Sequence, residues 1–123
     1  MSIANYLEGA ILDAVFNNVA LQKSARYLQL HTGDPGENGT ANVASNNTRK
    51  SITGAASVTG TFTSVNDLIW VGVPTTEVYT HCSIWDASTA GNCLFFGPLS
   101  VTYAATSGDT VTLPTGLLTV SVD

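Results

Sequence analysis

The side chains best suited to chemistry in this 123-residue chain gather in one stretch, Thr80-His81-Cys82-Ser83-Ile84-Trp85-Asp86. A nucleophile–base pair needs a Ser or Cys within reach of a His that a carboxylate orients. On a strand, residues two apart share a face, so His81 and Ser83 can meet and Asp86 follows them closely. Cys82 points the other way. The serine has neither the Gly-x-Ser-x-Gly elbow nor an oxyanion turn, and the spacing therefore argues against catalysis.

The remaining chemical signals are thinner. Asp34 and Glu37 flank Gly33-Asp34-Pro35-Gly36, too few oxygen ligands for a calcium loop. Without a lysine that turn is no phosphate loop either, and Asp34 reads as an Asx-turn residue. Two cysteines, Cys82 and Cys93, make neither a disulfide scaffold nor a four-ligand zinc site. They flank the turn 86–91 of an expected hairpin. Two readings stay open: buried free thiols, which cytosolic synthesis favours, or a bridge formed later in an oxidising medium. Trp70, Tyr79, Trp85, Phe95 and Phe96 read as core, with a sugar-stacking platform as the other possibility. No catalytic, metal-binding or cofactor-binding set emerges.

Charge narrows the partners. The chain carries Lys23, Arg26, Arg49 and Lys50 as its four cations against nine acids, for a net charge of −5. That is no clustered basic surface for phosphates, so nucleic acid is excluded as a partner. Charged residues make up 11% of the chain, well under the typical share of about 25%. Thr, Ser, Asn and Gly must supply the polar surface, which suits a protein covered by neighbours. No apolar run approaches the ~20 residues of a membrane span, and the N-terminus lacks a signal-peptide pattern. Cytosolic synthesis without membrane partners is the expectation.

The elements that must position these residues are mainly β, in one domain over 1–123. Residues 3–17 predict a helix with Ser2 as N-cap and Ile3, Leu7, Ile11 and Val15 on one stripe, which either packs on the domain's own sheet or docks on a neighbouring subunit as a partner contact. From residue 26 the period becomes two, beginning with Arg26-Tyr27-Leu28-Gln29-Leu30-His31. Residues 37–50 lack an apolar period and read as a long exposed loop, a contact arm through Asn46, Asn47 and Arg49. Short strands follow at 52–55, 57–63, 68–73, 78–85, 93–97, 101–103, 110–113 and 117–122, separated by turn residues. That pattern predicts a β-sandwich, jelly-roll-like, of about eight short antiparallel strands behind one helix. In strand 78–85, Cys82 and Ile84 form the core face, while Trp85 on the other face is the expected partner anchor.

The motif order Thr32-Gly33-Asp34-Pro35, Thr80-His81 running into Asp86-Ala87, Gly91-Asn92-Cys93-Leu94-Phe95, Gly108-Asp109-Thr110 and a closing strand at 117–122 resembles a family of small bacteriophage virion proteins. Its members are commonly labelled tail fibre or head decoration (cement) proteins. The resemblance implies a non-enzymatic virion protein made in the host bacterial cytoplasm. Capsid decoration is the leading reading, with the major capsid protein or other virion proteins as partners. A homo-oligomer is expected, a trimer matching capsid threefold positions. A tail fibre or baseplate component, including a host-receptor adaptor, is the alternative, and a carbohydrate-binding domain the third. Cys82 and Cys93 stand where the family pattern has apolar residues or Gly and Leu.

Overall fold

A computed structural model describes residues 1–122. The chain is mainly β and sandwich-like. Its elements are β1 (Ser2–Ile3), α1 (Asn5–Phe16), β2 (Tyr27–His31), β3 (Lys50–Ser51), β4 (Thr61–Thr63), β5 (Leu68–Trp70), β6 (Glu77–Trp85), β7 (Cys93–Ala105), β8 (Val111–Leu113) and β9 (Thr119–Ser121). One five-stranded sheet has the order β1-β7-β6-β2-β3, and two ribbons pair β4 with β9 and β5 with β8. All these pairings are antiparallel.

The helix starts later than its apolar period suggests. Ser2 and Ile3 pair with Phe96 and Phe95 of β7, which holds them extended. Ala4 therefore takes the N-cap position, without a side-chain cap.

The segments 93–97 and 101–103 are one strand, β7, running straight through Pro98. Proline lacks an N–H to donate, so it is tolerated only at an edge or a bulge. Both conditions hold here. β1 covers β7 only at Phe95 and Phe96, leaving β7 an edge beyond them. The register with β6 also slips at that point, with Tyr79 opposite Tyr103 but His81 opposite Pro98.

The five-stranded sheet is covered on both faces. On one, Leu28, Leu30, Cys82 and Ile84 pack with Trp70, Leu113 and Val120 of the two ribbons in a single core. On the other, Gln29, His31, Ser83 and Trp85 are buried as well. Their cover is the segment between β2 and β3. Val43 bridges to His31, and the Ala44 N–H donates to the Leu30 carbonyl at 3.1 Å. Gly39 is buried with φ of +70°, and a Cβ there would stand 2.6 Å from the Cys93 sulfur and 2.9 Å from the Trp85 ring. Thus the polar stretch 37–50 is exposed along much of its length but pinned to the sheet, not a free arm.

Candidate functional site

Two regions concentrate the features a function could use: the polar network beneath the 37–50 segment, and the surface of α1.

The network starts at Ser83 in the middle of β6. Its Oγ lies 2.7 Å from His31 Nε2 and accepts the Trp85 indole N–H at 2.7 Å. His31 Nδ1 lies 2.8 Å from the Ala41 carbonyl oxygen. A carbonyl only accepts, so Nδ1 carries the imidazole proton and Nε2 accepts the Ser83 hydroxyl. The chain of bonds runs in one direction and leaves none of these groups unpaired. Burial holds His31 below its ordinary pKa of 6.5, which keeps the neutral tautomer this chain requires.

Arg49 closes the network from above. Its guanidinium carbon stands 3.8 Å from the Trp85 ring centroid. Nη1 donates to the Ala87 and Ala90 carbonyls at 2.9 and 2.7 Å, and Nε donates to Gln29 Oε1 at 3.2 Å. Asp86 anchors the adjoining turn, accepting the Asn92 backbone N–H at 2.7 Å and pairing with Lys23 at 3.2 Å. Burial opposes ionisation of Asp86, but the Asn92 and Lys23 donors outweigh it and hold its pKa below the usual carboxylate value.

A serine hydroxyl donating to an imidazole supplies two members of a hydrolase triad. Here the third is missing. His31 is oriented by a backbone carbonyl instead of a carboxylate, and both His31 and Ser83 are 0% exposed. The serine oxygen is also occupied by the Trp85 N–H. The arrangement fixes strands; it offers substrate no approach. It also corrects the His81–Ser83–Asp86 grouping: Ser83 takes His31, while His81 Nδ1 bonds the Thr80 hydroxyl at 2.8 Å. No sequence signal pairs His31 with Ser83, since only the β2–β6 register brings them together.

Trp85 is likewise corrected. It is 7% exposed and held by Ser83, Arg49 and the Cys93–Phe96 pocket, so it anchors its own chain, not a partner. Arg49 is spent on the same contacts. Asn46 uses its side-chain oxygen locally to accept the Thr48 N–H at 3.3 Å, whereas Asn47 is exposed. Cys82 and Cys93 are free and buried. Cys82 lies opposite Gly97 and Cys93 opposite Trp85, so the hairpin does not face one sulfur with the other. Burial pushes the thiol of Cys82 up to about 12 and that of Cys93 up to about 11, leaving both unreactive. Among the described residues no three His, Cys, Asp or Glu side chains cluster to hold a metal.

The helix stripe divides. Leu7 is buried, and Ile3, Ala10 and Ile11 pack against the core. Val15, about 80° around the helix from Leu7 at 100° per residue, is 68% exposed. It belongs with Leu12 and Phe16, which are also exposed. Those three residues recur at i, i+3 and i+4, so a second apolar stripe was readable in the sequence beside the first. Among the described residues no helix is long and apolar enough to cross a membrane.

A family model described as "Podophage GP4 fiber I protein gp80" matches residues 2–121. No curated protein matches the chain.

Proposed function

Since the chain belongs to the podophage GP4 fiber I protein gp80 family, whose model spans residues 2–121, we propose that it is a non-enzymatic tail-fibre component of a phage virion. The observation that carries this reading is the family match itself, which covers nearly every residue and concerns a fibre protein. It favours the tail over the capsid surface, and the head-decoration reading has no comparable support. The structure is in keeping with a non-enzymatic role: the Ser83–His31 pair is sealed from solvent and serves the fold. What remains outward for other virion proteins is the Leu12–Val15–Phe16 surface and the exposed Asn47 region, not Leu7, Arg49 or Trp85.

Immunogold labelling of purified virions with antibody to this chain tests the reading. Label at the tail is the expected result. Label spread over the head overturns the tail assignment, and virions without the protein overturn the structural role.

A further inference from the structure

The exposed half of α1 is unusual for so small a protein. Leu12 is 57%, Val15 68% and Phe16 77% exposed, and together they make a contiguous apolar knob. Glu8 lies one turn before Leu12 on the same face, exposed, at the i, i+4 spacing that makes two helical residues neighbours. The knob is thus three apolar side chains edged by two carboxylates, Glu8 and Asp13, of which Asp13 already accepts a hydrogen bond from Asn17.

Elsewhere the fold leaves a matching hollow. Where the β4–β9 ribbon meets the end of the five-stranded sheet, an open cleft of about 330 Å³ is lined by Phe62, Ile84, Leu94, Phe95 and Val120, with Arg26 beside them. Arg26 is exposed, and its guanidinium donates one hydrogen bond, to the Lys23 carbonyl at 3.2 Å. Among the described residues no acidic side chain lines the cleft. Among the described residues the single ion pair joins Lys23 to Asp86, so neither Glu8 nor Arg26 has a counter-charge there.

We propose that the Glu8–Leu12–Val15–Phe16 knob of one copy seats in the Arg26 cleft of a second copy of this chain. Charge selects this occupant. Pairing knob against knob would leave Glu8 without a cation, because α1 carries no basic residue. Knob in cleft sets Glu8 against Arg26 while Phe16 and Leu12 enter an apolar hollow. The contact joins two different patches, so it is heterologous, and repeated use closes a ring or extends a filament. A trimer would be one closed form. The proposal goes beyond the fibre reading and does not depend on where in the virion the protein sits.

Sedimentation velocity of the purified full chain, across concentration and at low salt, tests it. The parent is expected to self-associate, and Phe16→Asp to weaken association at least about tenfold, as for a central apolar anchor. Phe16 is exposed, so that variant should fold, which circular dichroism checks. Glu8→Arg and Arg26→Glu should each weaken association several-fold, and the double variant Glu8→Arg/Arg26→Glu should restore it. Restoration identifies knob in cleft, because knob-to-knob pairing does not contain Arg26 and would not respond to the exchange of the two charges. A parent that stays monomeric at every concentration overturns the proposal. So does association that survives Phe16→Asp, ignores Arg26→Glu, or is not recovered by the double variant.

Discussion

Replacing Ser83 with alanine should expose how much the buried network contributes. The substitution deletes a hydroxyl that accepts from Trp85 Nε1 and donates to His31 Nε2, both at 2.7 Å. Ser83 and His31 are 0% exposed and Trp85 is 7% exposed, so water cannot readily replace the lost partner. Each buried group left unsatisfied costs about 1–3 kcal/mol, and two are orphaned, so a loss of roughly 2–6 kcal/mol is expected. Urea denaturation followed by far-UV circular dichroism measures it. At a slope near 2 kcal/mol per molar urea, a loss of about 3 kcal/mol moves the midpoint down by ~1.5 M. A second substitution separates the hydrogen-bond effect from simple packing. Trp85→Phe removes the orphaned N–H, so in the Ser83→Ala background it should cost at least about 1 kcal/mol less than it does alone. Strict additivity of the two, or a loss under about 1 kcal/mol for Ser83→Ala, would refute the claim that this network is satisfied only by its own members.

Three further outcomes follow from the same interior. Gly39→Ala should cost roughly 2–4 kcal/mol by thermal or urea melts, because it forces a side chain into φ of +70° and a Cβ to 2.6 Å from the Cys93 sulfur; a neutral result would mean the 37–50 segment is not pinned there. Tyr79→Phe should be neutral or stabilising by up to about 1 kcal/mol, since the Tyr79 hydroxyl is buried without a partner in hydrogen-bonding geometry, and burial first, then the nearby Glu77 carboxylate, push its pKa up to about 12; a clear loss of stability would show that Glu77 serves as its acceptor. His31 gives the network a pH dependence. Its pKa is lowered in the fold, chiefly by burial, so the unfolded chain takes up the proton first, and stability is lost as pH falls below 6.5. Stability measured from neutral pH to about pH 5 should decline in the parent and decline less in His31→Gln; parallel profiles would exclude His31 as the source.

Much of the local structure was legible in the sequence because local forces produce it. The 3–4 spacing in residues 3–17 is helical, and α1 occupies 5–16 of them. Period-two patterning and turn residues after residue 26 yield a mainly β fold. Asp34 accepts the Gly36 N–H at 2.9 Å, the Asx turn its neighbours suggest. In each case the residues that decide the outcome lie within a few positions of one another.

Cross-strand and loop-to-sheet relations were another matter. Alternation assigns a residue to one of two faces, but it does not say whether a face is wet. Gln29, His31, Ser83 and Trp85 read as the polar or partner-facing side, and the folded 37–50 segment buries them all. Which histidine meets Ser83, which sulfur faces which residue, and how Pro98 survives inside a strand depend on register and on the slip between Tyr79 and His81. Those are set by contacts between residues far apart in the chain. Local pattern therefore carries the helix and the mainly β character of the rest, but not where each element begins and ends. Only the tertiary structure decided that Arg49 and Trp85 are turned inward while Leu12 and Phe16 stand in solvent. The physical reason is that burial is a property of what packs across from a residue, and no short-range pattern carries that information.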